Sequence, residues 1–219
     1  MTCISPGDGC WLLSASDSEC PRLTPRSGTY RARLRRAGAA LPVGVRPGSY
    51  YSLMRWDEFS SMCPELAEAG QRRLEERHLC LIGTLRLDGW PRISPVEPYL
   101  VDGDLMIGMM AGSRKAADLL RDPRLVVHST VSRWEADEGD VKLYGTAAPV
   151  ADTERRGALY RAIAEAHGWP EPSPDDPAYH VFQVEIESAA FVRFNGSSWQ
   201  DWAWDPQRGM RMRTHQESS

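Results

Sequence analysis

The decisive stretch of this sequence is Leu105-Met106-Ile107-Gly108-Met109-Met110-Ala111-Gly112-Ser113-Arg114-Lys115, followed by a short segment that ends at Pro123. Its first six residues predict a strand, and the small residues after them predict a turn. Ser113, Arg114 and Lys115 then open a short helix. The free N–H groups of a helix N-terminus, together with two cations, favour a phosphate-binding site. The alternative is a helix start whose two charges are solvated at the surface.

Lysine is rare in this chain, which makes the lysine of the turn informative. Lys115 and Lys142 are the only lysines among 26 basic residues, and the others are arginines. In a composition so biased toward Arg, a lysine retained at a candidate phosphate site favours a specific role, since Lys offers a compact charge where Arg offers a fork.

The bulk composition excludes several classes of protein. Apolar residues make up 42% of the chain and the net charge is −4, which disfavours nucleic acid as a partner. Five cysteines without Cys-x-x-Cys spacing and five scattered histidines predict neither a disulfide framework nor a metal site. No apolar run reaches the roughly 20 residues that span a bilayer, and the N-terminus does not resemble a signal peptide. These features predict a cytoplasmic protein with no membrane segment.

The chain divides into three predicted regions. Residues 1–53 are rich in Ser, Pro, Gly and Arg and predict a disordered tail, because few apolar residues offset the ordering entropy. Two alternatives are a mis-assigned start, with translation beginning at Met54, and a basic tail that binds nucleic acid. Residues 54–206 form the predicted domain, and residues 207–219 are expected to fray.

Within the domain, short strands joined by tight turns predict a mainly β protein with flanking helices. Asp88-Gly89 and Asp102-Gly103 mark two of the turns. A doubly wound sheet is disfavoured because strands and helices do not alternate. The predicted strands cover 78–85, 92–101, 105–110, 125–130, 141–147, 179–187, 190–194 and 199–204, and the predicted helices cover 57–77, 114–121 and 152–166. This spacing favours an antiparallel barrel.

Five motifs occur in a recognisable order over residues 57–204. They are Pro91–Val96, Asp102–Leu105, Gly112–Ala116, Asp122–Leu125 and Val141–Ala147. In this order they resemble the pyridoxamine 5′-phosphate oxidase-like family, the flavin-binding split barrels. The resemblance implies a split β-barrel, FMN as cofactor, and a homodimer with two cofactor sites across its interface.

The resemblance also implies which residues hold the cofactor. Ser113, Arg114 and Lys115 would bind its phosphate, the strand from Arg92 to Val96 would line the flavin ring, and a C-terminal aromatic would pack against the partner's flavin, with core packing as the alternative. The cofactor-binding residues implied in this way are Arg92, Ser94, Pro95, Val96, Met109, Met110, Ser113, Arg114, Lys115, Lys142 and Trp202. No catalytic side chain is predicted, because the flavin supplies the hydride chemistry.

Two departures from the family pattern bear on function. Gly108-Met109 stands where the oxidases proper carry Tyr-Thr, and no C-terminal Arg-x-His-like motif is found. Vitamin B6 oxidation is therefore disfavoured, and we expect an FMN-binding oxidoreductase that acts on an unknown small organic substrate by hydride transfer through flavin N5.

Two alternatives to FMN oxidoreduction stay open. An Arg-rich, Lys-poor composition is typical of GC-rich genomes, in which members of this family commonly use the deazaflavin coenzyme F420. The polyglutamate tail of F420 needs a basic groove, which Arg92, Arg133 and Lys142 would supply. The other alternative is a non-catalytic protein that binds flavin or haem.

Overall fold

The computed structural model describes residues 53–131 and 136–217. The predicted tail over residues 1–53 therefore lies outside the described part, except for its last residue. In the described part, every pair of neighbouring strands is antiparallel. The mainly β class with flanking helices is thus confirmed.

The described residues form four helices and nine strands. The helices are α1 (Trp56–Met62), α2 (Pro64–Arg77), α3 (Arg114–Arg121) and α4 (Thr153–His167). The strands are β1 (Cys80–Leu85), β2 (Pro91–Val96), β3 (Pro98–Val101), β4 (Asp104–Met110), β5 (Arg124–Ser129), β6 (Asp140–Pro149), β7 (Tyr179–Asn195), β8 (Ser198–Asp205) and β9 (Gly209–Gln216).

The sheet is organised around β7, a strand of 17 residues. The strand order is β2-β1-β5-β6-β7-β4-β3, and β8 joins β7 to β9. The first part of β7 pairs with β4 and the last part with β8, while β6 pairs along its middle and end. This long strand has room for three partners: β4 and β8 pair with different parts of one edge, and β6 pairs along the other edge.

Prolines account for two differences between the predicted and observed elements. The predicted helix over 57–77 is broken at Cys63, since Pro64 begins α2 at a position where a missing N–H is tolerated. The predicted strand over 92–101 is divided at Glu97, because Pro98 follows it and opens a new strand that pairs with β4. This break places Glu97 outside both ladders.

The structure differs from the expectation that residues 207–219 fray, since Gly209–Gln216 form β9. Gly209 starts this strand with a φ of 65°, after a turn in which Asp205 accepts backbone hydrogen bonds from Gln207 and Arg208. Every residue of β9 pairs with β8, and Met210 packs against the core. The segment is polar, so its composition did not predict that it forms a hairpin with β8.

Two clusters of buried side chains fill the fold. The larger cluster packs α1 and α2 on the sheet, with Phe59 between the rings of Trp56 and Trp204 at centroid distances of 5.5 and 5.0 Å. The smaller cluster joins α4 to β3, β4 and β7 and contains the buried side chains of Tyr99 and Tyr160. This second cluster forms the floor of the site described below.

We predict that Gly145→Ala strongly destabilises the fold. A Cβ atom at Gly145 would lie 1.8 Å from the carbonyl oxygen of Glu185, where the register of β6 and β7 shifts. The backbone of two paired strands would have to move apart to relieve this contact, so we expect a loss of more than about 3 kcal/mol in the free energy of unfolding. Denaturant titration measures it. Gly112→Ala is the control, because that position is open and a change below about 1 kcal/mol is expected. Similar losses in both variants would contradict the prediction.

Candidate functional site

A cavity of about 520 Å³ lies where β2, β3 and β4 meet the start of α3, with α4 and the loop before β7 on its other side. Most of its wall is apolar or aromatic. Examples from the sheet side and the helix side are Val96, Met109, Ile163 and Trp169. Concave apolar sites with a few polar groups are typical of small-molecule binding.

The predicted anion-binding turn forms one polar edge of this cavity. Ser113 is the N-cap of α3: its Oγ accepts from the backbone N–H of Ala116 at 3.3 Å, and its own N–H donates to Met110 at 3.0 Å. The hydroxyl proton of Ser113 is still available to donate. In the described part of the chain, the backbone N–H groups of Arg114 and Lys115 have no hydrogen-bond partner, as is usual for the first turn of a helix. This arrangement suits an anion.

The ammonium group of Lys115 lies beside this turn and lines the cavity. Its Nζ donates to the carbonyl oxygen of Pro95 at 2.5 Å, which ties α3 to β2. Burial lowers the pKa of Lys115, and the nearby Cys80 and Glu97 oppose that effect. An ammonium group has three N–H donors, so the bond to Pro95 leaves two for a ligand.

The buried carboxylate of Asp118, one turn further along α3, locks the helix onto the sheet. Asp118 is 4% exposed and accepts from Arg92 Nε at 2.6 Å and from Thr84 Oγ1 at 3.1 Å. Arg121 adds a longer bond at 3.4 Å. Burial alone would raise the pKa of Asp118, but these hydrogen bonds outweigh it and hold the pKa below its ordinary value. The start of α3 is therefore fixed against β1 and β2.

A second polar group on the cavity wall is the carboxylate of Glu97, which connects the residue between β2 and β3 to the end of α4. Glu97 Oε2 accepts from Tyr99 Oη at 3.0 Å and lies 3.1 Å from His167 Nε2. Tyr99 Oη is also 3.1 Å from that ring nitrogen. Burial, together with Glu97, raises the pKa of Tyr99 well above its ordinary value, so the phenol stays protonated. The imidazole of His167 stacks on Trp169 at a centroid distance of 4.4 Å.

The structure brings together some of the predicted cofactor-binding residues and separates others. Six of them line the cavity: Pro95, Val96, Met109, Met110, Ser113 and Lys115. Five do not: Arg92, Ser94, Arg114, Lys142 and Trp202. Arg92 is held by Asp118, and Ser94 is half-buried two residues further along β2.

The remaining three of these side chains lie in different surroundings. Arg114 is exposed at the start of α3. Lys142 forms a salt bridge with Asp140 on β6. Trp202 packs on Phe191 at a centroid distance of 5.2 Å, and its indole Nε1 is buried without a hydrogen-bond partner in the described part. Arg133, also considered for a basic groove, lies outside the described residues.

Sequence reasoning missed the wall that α4 and the following loop provide. Tyr160 and Ile163 face the cavity from α4, and Trp169 follows the left-handed C-cap Gly168. The aromatic residue directly after a helix-ending glycine was a usable signal, because such a residue often packs back on its helix. Glu97 carried a weaker signal, a lone carboxylate between two prolines.

The fold and the cavity define a mainly antiparallel β protein with a small-molecule site that ends at an anion-binding helix start. The chain belongs to the pyridoxamine 5′-phosphate oxidase family, whose model matches residues 66–193, more than half of the sequence. The predicted split-barrel fold is confirmed with it. No curated protein matches the chain.

Two solved structures have a similar fold. One is a Clostridium acetobutylicum protein related to general stress protein 26 of B. subtilis (pyridoxinephosphate oxidase family), with a TM-score of 0.51 and 16% identity over 66% of this chain and 96% of that one. The other is PhzG from Burkholderia lata 383 in complex with tetrahydrophenazine-1-carboxylic acid, with a TM-score of 0.52 and 14% identity over 78% and 97%. At such identities the likeness shows the fold alone.

None of the described helices is long and apolar enough to cross a membrane. The described residues also contain no cluster of three or more His, Cys, Asp or Glu side chains that could hold a metal ion.

We predict that Asp118→Asn lowers the free energy of unfolding at pH 7 by about 1–3 kcal/mol, because the buried carboxylate loses its charge-assisted hydrogen bonds from Arg92 and Thr84. The folded pKa of Asp118 lies below its ordinary value of 3.8. Its contribution is therefore complete above that value and lost as the pH falls through the folded pKa. Urea titrations at pH 7 and pH 3 measure this.

The exposed Asp175, which has no hydrogen bond in the described part, provides the control Asp175→Asn, for which we expect almost no change. A deficit of Asp118→Asn that stays the same at both pH values would show that the charge of Asp118 contributes nothing.

Proposed function

We propose that this protein is an FMN-binding oxidoreductase that passes a hydride between the flavin and a small organic substrate, and that it works as a homodimer. One observation carries the proposal: the apolar cavity ends at the N-terminus of α3, where Ser113 and Lys115 both face it. This arrangement matches a ligand that is flat and apolar at one end and phosphorylated at the other. Membership of the pyridoxamine 5′-phosphate oxidase family supports it.

The residues of the cavity fit FMN in size and in chemistry. A volume of about 520 Å³ falls within the range of about 300–1,000 Å³ for small-molecule sites. Ser113, Lys115 and the free N–H groups of the first turn of α3 would bind the phosphate. Met109, Met110 and the strand at Pro95 and Val96 would contact the ribityl chain and the ring.

The protein's own part in such a reaction is binding and positioning. When bound, FMN supplies the hydride chemistry, and the protein supplies orientation and electrostatics. The aromatic side chains of Trp169 and Tyr179, with Ile163, would contact the apolar part of a bound ligand. PhzG, of similar fold, binds tetrahydrophenazine-1-carboxylic acid, which is a precedent for a small ring compound as the substrate.

The absorption spectrum of the purified protein, before and after titration with FMN, tests the proposal. We expect the two-banded spectrum of oxidised flavin, perturbed by binding. A single violet band after addition of coenzyme F420, or a sharp Soret band after addition of haem, without any response to FMN, would replace flavin by that cofactor. A protein that responds to none of the three would contradict the proposal altogether.

Lys115→Ala is expected to weaken FMN binding by about 1.5–3 kcal/mol, roughly 10- to 150-fold, because one charge-assisted bond to the phosphate is lost. Quenching of flavin fluorescence measures the dissociation constant. Lys142→Ala is the matched control, since Lys142 carries the same charge but pairs with Asp140 away from the cavity. Unchanged FMN affinity in Lys115→Ala, or an equal loss in both variants, would contradict the phosphate role of Lys115.

The homodimer is proposed from the family and from an apolar surface on the hairpin that joins β1 and β2. Leu87, Trp90 and Ile93 are 84%, 70% and 72% exposed there, and large contiguous apolar surfaces commonly mark interfaces. We predict that Ile93→Glu yields a monomer in sedimentation analysis, because a charge on this surface opposes its burial. Met62→Glu, at an exposed position on α1, should leave the dimer intact. A dimeric Ile93→Glu variant, or a monomeric wild type, would contradict the prediction.

A further inference from the structure

Glu97 occupies an unusual position at the edge of the proposed phosphate site. It lies between β2 and β3, two residues after Pro95, whose carbonyl oxygen accepts from Lys115. Among the residues that line the cavity in the described part, Glu97 and Lys115 are the only two with a charged side chain. The two are near enough for Glu97 to raise the pKa of Lys115. An acid beside a phosphate-binding lysine calls for an explanation, because it opposes anion binding.

The hydrogen bonds of Glu97 show that it is held in place with one oxygen unoccupied. Tyr99 is kept protonated, so its hydroxyl donates to Oε2, and His167 Nε2 lies 3.1 Å from the same oxygen. Oε1 has no hydrogen-bond partner among the described residues, and the side chain of Glu97 is 41% exposed.

The free oxygen decides what kind of ligand group can lie next to the phosphate site. A hydroxyl or an N–H group can donate to Oε1, whereas a second anionic oxygen is repelled. The cavity wall carries one cation and one anion, so their formal charges cancel, and each negative charge on a ligand is compensated less well than it would be by Lys115 alone. The hydrogen bond from Tyr99 and the contact with His167 oppose a rotation of Glu97 away from this position, because such a rotation would break both.

We propose that Glu97 is a specificity-determining residue of this cavity: it accepts a hydrogen bond from a hydroxyl or N–H of the ligand beside the ligand's phosphate, and it lowers the affinity for additional negative charge. The inference rests on the proposed flavin-binding function. In FMN the ribityl hydroxyls lie directly beside the phosphate, and a phosphate monoester carries about 1.5 to 2 negative charges at neutral pH. Glu97 therefore moderates the preference for FMN over riboflavin, which differs only by the phosphate.

The experiment measures dissociation constants for FMN and riboflavin by flavin fluorescence and compares their ratio between variants. Removing the charge by Glu97→Gln should increase the preference for FMN about three- to tenfold, the range expected for a partly exposed charge. Glu97→Asp keeps the charge and should leave the ratio near the wild-type value. Glu68→Gln, at an exposed position on α2, changes the net charge equally and should also leave it unchanged. Glu97→Ala provides a second charge-removing variant if the amide disturbs folding, and it should change the ratio in the same direction.

The outcomes separate this inference from the function on which it rests. If the wild type binds both flavins and Glu97→Gln or Glu97→Ala leaves the ratio unchanged, the inference is wrong and the proposed function stands. An equal change of both affinities would show that the charge of Glu97 does not act on the phosphate, which also overturns the inference. If the wild type binds neither flavin, the proposed function fails, and the role of Glu97 toward flavins fails with it.

Discussion

Backbone hydrogen bonding along β7 is the constraint on which the described fold depends. This one strand serves β4, β6 and β8, so the two parts of the sheet that carry the candidate site and the C-terminal hairpin share its register. The close approach of Gly145 to Glu185 shows how little freedom that register has. Because β4 is fixed by β7, the turn that follows Met110 is presented at a defined edge of the sheet, and α3 must begin there.

The start of α3 is in turn placed at the proposed binding site by that register. The first turn of α3 offers free backbone N–H groups. Lys115 and Asp118 lie one turn apart on the side of the helix that faces β2. Lys115 reaches the backbone of β2, while Asp118 reaches the side chain of Arg92. A cofactor phosphate at this helix would meet donors that are already held in place, which lowers the entropic cost of binding.

The sequence allowed the turn and most strands to be predicted, because their signals are local. Ser113 as a helix start and the Asp-Gly turns depend on residues that are adjacent in the chain, and β9 was missed because its pairing with β8, not its polar composition, stabilises it. The contact between Glu97 and His167 could not be predicted, since it joins residues 70 positions apart and requires α4 to pack beside β3. Arg92 belonged to a predicted motif, but its partner Asp118 follows only from packing.

Two prolines explain why the polar groups of the cavity occur where they do. Pro95 and Pro98 cannot donate to a ladder, so regular pairing of β2 ends after Val96, and β3 begins with a different partner strand. Between them the chain presents a carbonyl oxygen to Lys115 and the carboxylate of Glu97 to the cavity. The residues that interrupt the strand are therefore the same ones that bring an acceptor and an acid beside the proposed phosphate site. The two prolines predicted an edge or irregular strand over residues 92–101, and the break at Glu97 is the form that this irregularity takes.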